Sequence, residues 1–445
     1  MASNRDILDA QRFNRSRLVT AFTSGMPDGR ELEPRSPLTP LIIGIVLTAV
    51  LIATALVMRR FAPTLPDGWQ NNYVLIINGT GARYYTEDGA MHPITNITSA
   101  KLLTQAGSFH VAEVPASITE GIPRGPQLGL SDAPDDVPAP SALLTGAWTA
   151  CAVSDSVTQT WIGTAPASFA DTQMMLVSNF NSEYLVAGGL RYPLDTETTA
   201  VVVALGLVDV DVHPVRADWL NLLTPASPLR PLTIADAGQP ASGMPAALAT
   251  AVVGSLVNVY LDGNTTHYVV NPESNLIELS DVAYRLYEIG TGANAGSPIN
   301  ATMADVAPLV VHNVGTVPLD WPPTLASSSD PKTVPCLQRP MTGDTQVSVL
   351  GDAQIDDAPA DGHASVPGGG GALMHIPNGA LFGSVRLVDD SGFAYGIGGD
   401  VTDTLARLGY APTDVIAVPS AWAALVPPKN GGTPVLSPDS AGATS

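Results

Sequence analysis

RYYTEDGAMHPI (83–94) and EYLVAGGLRYPL (183–194) lie one hundred positions apart and superimpose without a gap. Tyr84 falls on Tyr184, Gly89 on Gly189, Pro93 on Pro193 and Ile94 on Leu194. RLVDDSGFAYGI (386–397) keeps the glycine as Gly392 and sets Tyr395 against His92 and Tyr192, while HYVVNPESNLIEL (267–279) fits loosely. A unit repeated with drift predicts a modular scaffold of stacked supersecondary pieces. Scaffolds of that kind usually bind rather than catalyse.

Each unit has the same local grammar. Apolar runs such as 74–78 and 174–178 predict a strand, and a turn containing Gly or Asp/Ser leads into a second strand to make a hairpin. Helical spacing follows in Ser99–Leu103, Thr199–Leu205, Asp281–Tyr287 and Val401–Leu408. A closing segment then reads VPASITEGIP (114–123), VRADWLNLLTP (215–225), INATMADVAP (299–308) or VPSAWAALVP (418–427). In each, one large apolar residue (Ile118, Trp219, Met303 or Trp422) precedes a proline, which predicts a short helix stopped by that proline. Trp219 and Trp422 read as core anchors of their units, because large aromatics dominate core burial.

Leu41–Met58, LIIGIVLTAVLIATALVM, contains eighteen uncharged positions, about 27 Å of helix at ~1.5 Å per residue, enough to span a hydrocarbon core. Pro40 opens it, and Arg59, Arg60 and Pro63 close it. A cleavable signal would be shorter and followed by small residues, so the segment reads as a permanent single-pass anchor. Six arginines precede the span, at positions 5, 12, 15, 17, 30 and 35, and only two follow closely. The positive-inside rule therefore predicts a cytoplasmic N-terminus. Residues 61–445 carry twelve basic and thirty-six acidic side chains, a formal charge of 12 − 36 = −24. Such a surface repels phosphate and speaks against nucleic-acid binding.

Cys151 and Cys336 are the two cysteines, 185 positions apart and both beyond the anchor. Outside the membrane they most simply form one disulfide. The competing readings are weaker: a metal site lacks CxxC spacing, and a catalytic thiol lacks a nearby base. A bridge would staple residues 132–172 to residues 310–374, giving a module inserted between repeats. That module would carry DAPDDVPAPS, WPPT and the glycine run Pro367–Gly371.

Residues 4–24 show helical periodicity, with Ile7, Leu8, Phe13, Leu18, Val19 and Phe22 interleaved with arginines. The helix could lie on lipid with its arginines on headgroups, or dock on a cytoplasmic partner. Enzyme signatures are missing: no GxxxxGK[ST], GxSxG or HExxH occurs, and the seven histidines are scattered. No cofactor is expected. The pairs Asp135-Asp136, Asp356-Asp357 and Asp389-Asp390 read as solvated turns. Four Asn-x-Thr sequons (Asn78, Asn96, Asn264, Asn300) are common by chance in a turn-rich chain.

The arm containing Gln11-Arg12-Phe13 and Arg15–Phe22, the single anchor, the GGLRYPL-type second unit, DDSGFAYGI with LARLGY, and the VPSAWAALVP closer together resemble EccB, the single-pass core component of actinobacterial type VII (ESX) secretion systems. The resemblance covers nearly the whole chain. It implies an α+β periplasmic ectodomain of four degenerate repeats around a central β-rich domain, with Cys151 and Cys336 bridging that domain. The implied layout is a cytoplasmic arm over 1–38 and a transmembrane helix over 39–60. Repeats one to four occupy 61–131, 173–232, 250–309 and 375–428, the central domain 132–172 and 310–374, and a disordered tail 429–445.

The resemblance further implies a structural subunit packed beside the motor ATPase EccC and the membrane proteins EccD and EccE. On the periplasmic face, copies would self-associate and the mycosin protease would join. Gln11, Arg12, Phe13, Arg17, Leu18 and Phe22 would form the docking helix. Some members carry an ATPase label, for which this chain offers no recognisable nucleotide site. The alternatives are a periplasmic hydrolase and a cell-wall-binding surface protein.

Overall fold

The computed structural model describes residues 4–24, 38–60, 63–163, 166, 170–171, 174–194, 199–313, 315–325, 334–339, 349–353, 363–377, 384–429, 432 and 434–442. Arg30, Arg35 and Asp356-Asp357 lie outside them. The chain divides into residues 1–65 and a body from Pro66 onward.

The first part holds α1 (Asn4–Ser24) and α2 (Leu38–Arg60). Within α2, Leu38–Met58 is long and apolar enough to cross a membrane, and its side chains are exposed. Leu41 and Met58, the expected ends of the span, both lie on this helix.

Five sheets form among the described residues of the body, and four of them share one topology. In the first, Tyr73–Ile77 pairs antiparallel with Arg83–Glu87, and Arg83–Glu87 with Ala90–Pro93. Helix α3 (Ile97–Leu103) follows, and His110–Val114 then returns parallel beside Tyr73–Ile77. The second sheet repeats this with Met174–Asn179, Ser182–Ala187, Leu190–Pro193, α4 (Thr199–Ala204) and Val212–Pro214. The third uses Leu256–Leu261, Asn264–Val270, Leu276–Leu279, α5 (Asp281–Glu288) and Ile299–Ala301. The fourth uses Ala372–Ile376, Ser384–Val388, Ala394–Ile397, α6 (Val401–Leu408) and Ile416–Ala417.

Local chemistry sets the helix starts. Asn96, Ser280 and Asp400 each accept a hydrogen bond from the backbone N–H three residues on, satisfying donors that have no partner inside α3, α5 and α6. α6 stops at Gly409, whose φ of 93° lies in the left-handed region that favours glycine.

Turn chemistry separates the closely matched units from the divergent one. Tyr84 pairs with Pro93, and Tyr184 with Pro193, so the two hairpins share one register. Asp88-Gly89 and Gly188-Gly189 form their two-residue turns, all with positive φ. In the fourth unit Val388 pairs with Ala394 around a five-residue loop, and Leu387 meets Tyr395. The gapless alignment would instead place Leu387 on Gly396, so the fourth hairpin is displaced by one residue.

The fifth, central sheet runs Thr158–Ile162, Trp148–Ala152, Val334–Arg339, Val349–Ala353, Ala170–Asp171. It is drawn from the two segments expected to form the inserted module. The boundary at 374/375 is corrected, since it cuts the strand Ala372–Ile376 that opens the fourth sheet.

The tail expected to be disordered is also corrected. Val435–Leu436 adds parallel to Ala394–Ile397, and α7 (Pro438–Gly442) follows, with Leu436 and Ala441 fully buried. The open edge of the fourth sheet supplies backbone partners that no local sequence pattern announces.

Cores cross unit boundaries. One contains Trp148, Ala150 and Leu337 of the central sheet, Met175 and Trp219 of the second unit, and Met374 and Trp422 of the fourth. A second joins the second and third units through residues such as Leu185, Val201, Leu279 and Leu286. Trp219 is fully buried, and its indole Nε1 donates to the Ala150 carbonyl at 3.0 Å. It thus anchors its unit to the central sheet, and Trp422 of the fourth unit joins the same core. Met303, at the matching closer position of the third unit, is 41% exposed, and Ile118 is half-buried. The closer consensus therefore places a core residue in two units only. Trp219→Ala should destabilise the body by about 3–5 kcal/mol, measured as a lowered denaturant midpoint. Trp219→Phe, which keeps most of the apolar volume and loses one hydrogen bond, should cost less than half of that.

Candidate functional site

Three features carry the candidate function: the arm, the anchor and the bridged central sheet. At ~100° of rotation per residue, Ile7, Leu8, Leu18, Val19 and Phe22 of α1 fall in one stripe, with Gln11 between Leu18 and Phe22, Arg15 between Phe22 and Leu8, and Arg12 along one border. Phe13 is nine residues before Phe22, about half a turn out of phase, and shares the opposite side with Arg17. Of the six residues expected on the docking helix, Gln11, Leu18 and Phe22 thus lie together, Arg12 lies at the border, and Phe13 and Arg17 lie away. Phe22 is 86% exposed and Leu18 59%. Thr23 Oγ1 donates to the Val19 carbonyl, which satisfies a hydroxyl inside the helix without breaking the stripe.

In the central sheet, Cys151 and Cys336 sit directly opposite each other on neighbouring antiparallel strands and are disulfide-bonded. Both are fully buried, packed with Ala353 and flanked by Trp161 and Val334. The pairing needs no distortion of register, because adjacent Trp148–Arg339 and Ala150–Leu337 pairs continue the same ladder.

Clusters of His, Cys, Asp and Glu suited to a metal ion are absent among the described residues. The glycine run is the one segment whose composition could suggest a phosphate cradle, and three of its amides are committed elsewhere. Gly369 N–H donates to Asp390 Oδ2, Gly370 N–H to the Pro367 carbonyl and Gly371 N–H to the Ala142 carbonyl. The adjoining cleft, about 410 Å³, is lined by Asp135, Asp136, Asp389 and Asp390 with Lys429 at its edge. Its charge opposes phosphate.

The two described acidic pairs are not merely solvated turns. Asp135 is ion-paired with Arg83 and Asp136 with Lys101. Asp389 is buried and accepts from Phe393 N–H and from the Ser391 and Tyr395 hydroxyls. Burial first, and then the Asp389 charge, push the Tyr395 hydroxyl well above its ordinary pKa, so it remains a donor.

A family model described as "Type VII secretion system ESX-1, transport TM domain B" matches residues 1–444. The protein named ESX-2 secretion system ATPase EccB2, from Mycobacterium tuberculosis, is 26% identical over 352 residues, covering 74% of this chain and 68% of its own. ESX-1 secretion system ATPase EccB1 of Mycolicibacterium smegmatis is 26% identical over 402 residues, covering 83% and 81%. In fold, the chain is similar to one in the intact ESX-5 inner membrane complex, with a TM-score of 0.68, 19% identity and coverage of 100% and 96%. It is also similar to the chain of an EccB3 dimer from the ESX-3 core complex, at 0.67, 23% identity, and 83% and 99% coverage.

Iodoacetamide labelling of the folded, non-reduced protein should modify neither cysteine, and both should react after denaturation with reductant. Opening so long a loop, as in a Cys151→Ala/Cys336→Ala double variant, should cost on the order of 4 kcal/mol of stability.

Proposed function

The chain belongs to the EccB family of type VII secretion systems, and from that premise we propose that it organises the periplasmic face of the secretion complex rather than catalysing a reaction. It is a membrane core subunit of such a system. The observation that carries the reading is the extent of the family match, which takes in arm, anchor and body as one chain.

The arm is cytoplasmic and the body periplasmic, an orientation supported by six arginines ahead of the span and the strong acidity of residues 61–445. The four sheets of common topology are four copies of one unit, of which the second and fourth pack on the central sheet. The body associates with further copies of itself, a reading favoured by the similar EccB3 chain, which forms a dimer. The arm docks on the motor ATPase EccC, near EccD and EccE, and the mycosin protease joins at the periplasmic side. Affinity purification of the tagged full chain from native membranes tests this: EccC, EccD and EccE should copurify, and their absence would refute the assignment.

The arm's geometry refines the docking face. A shape-complementary site loses about 3–5 kcal/mol when one buried aromatic is truncated. Phe22→Ala and Leu18→Ala should therefore release the motor from the purified complex while the chain stays in the membrane. Phe13→Ala, on the other side of the helix, should release far less. Sensitivity only to reversal of Arg12, Arg15 and Arg17 would instead identify a lipid-surface helix.

Relatives bear the word ATPase in their names. The committed amides of the glycine run and its acidic cleft support a non-catalytic reading. The purified full chain in detergent should hydrolyse ATP no faster than a preparation from cells lacking it. Turnover abolished by a point substitution such as Lys429→Ala would overturn that expectation.

A further inference from the structure

The C-terminal segment and the first unit meet far from either in sequence. Leu436 and Ala441 share one core with Leu102 of α3 and with Leu387, Leu405 and Leu408 of the fourth unit. Gly396 N–H donates to the Pro434 carbonyl and Gly398 N–H to the Leu436 carbonyl, at 2.8 and 3.0 Å. Ser437 caps α7 by accepting from Ser440 N–H. A second attachment joins the same two units independently: Arg407 Nη1 donates to the Leu102 and Thr104 carbonyls at the end of α3, at 3.1 and 3.2 Å.

These two attachments differ in kind. Arg407 projects from α6, a capped two-turn helix with a buried face, and its Nε is held by Asp403 at 2.7 Å. The C-terminal segment has only a two-residue strand and a five-residue helix. Helices that short have no stability of their own, and chain ends with few buried anchors open locally at low free-energy cost. Val435 is 48% exposed, which leaves Leu436 and Ala441 as the apolar anchors.

We propose that residues 434–442 form a clasp that holds the fourth unit on α3 and opens as one local element while the rest of the body stays folded. Opening uncovers the α3 face at Leu102 and Leu103 and frees the edge of Ala394–Ile397, and Arg407 keeps the two units in register meanwhile. The clasp thus governs access to a surface between the membrane-adjacent unit in sequence and the last one.

The seat of the clasp contains a natural place for a wedge. Gly398 lies under Val435, such that an added Cβ would sit 2.3 Å from Val435 Cγ1, and its φ is not in the left-handed region. Gly398→Val should therefore crowd Val435 and loosen the seat of the clasp, and truncation removes the clasp outright.

Hydrogen exchange read by mass spectrometry on the detergent-purified full chain tests the proposal. In the unmodified protein, peptides covering 394–398 and 434–442 should exchange together and faster than the central strand 148–152. Gly398→Val, and separately truncation after Thr433, should speed exchange of 394–398 at least tenfold, with 97–103 partly affected and 148–152 unchanged. Adding Arg407→Ala to either should bring 97–103 to the rate of the opened segment. Unchanged exchange at 394–398 in both variants overturns the proposal, since the segment would then bear no protection. Loss of protection throughout the body, or failure of both variants to fold, overturns it equally, because the segment would then be inseparable from the global core.

Discussion

The antiparallel pairing of Trp148–Ala152 with Val334–Arg339 is the seam on which the body depends. It joins strands whose cysteines are 185 positions apart, and the entropy of closing such a loop must be offset before any contact across it contributes. The buried disulfide removes that cost from every later excursion. The second and fourth units lean on the same seam through Trp219 and Trp422. A bond between two residues therefore conditions the packing of units that contain neither.

Much of this was legible because the repeat carries register information. The offset of one hundred residues aligns turn with turn, and a two-residue turn with positive φ admits one hairpin register. Tyr84–Pro93 and Tyr184–Pro193 are therefore the same pair. The fourth unit hides its displacement because Gly392 mimics the turn glycine while serving a longer loop. The anchor was legible for a simpler reason, since eighteen uncharged positions leave few structural alternatives.

What stayed hidden is what depends on partners distant in the chain. Residues 429–445 are rich in Gly, Pro and Ser, with no period that could announce a strand or helix. The order of residues 434–442 comes from the edge of Ala394–Ile397 and from α3, neither visible locally. Asp389 looked like a solvated turn for a different reason: its donors Ser391, Phe393 and Tyr395 are near in sequence, and only the fold of the loop turns them onto a buried carboxylate. On the arm, residue type picks out the bulky side chains but a helix sorts them by angle, and nine residues put Phe13 opposite Phe22.

The division of cores explains why a chain of four similar sheets is not four independent domains. In a linear solenoid each repeat contacts its sequence neighbours. Here the first unit shares a core with the fourth, the second with the third, and the central sheet with the second and fourth. Sequence order and contact order therefore differ. The first unit, which follows the anchor in sequence, is coupled to the last, and through that one to the central sheet. Load reaching the first unit would pass to the fourth unit before it reached the seam, the second unit or the third, because strain is transmitted through close-packed interiors rather than along the backbone.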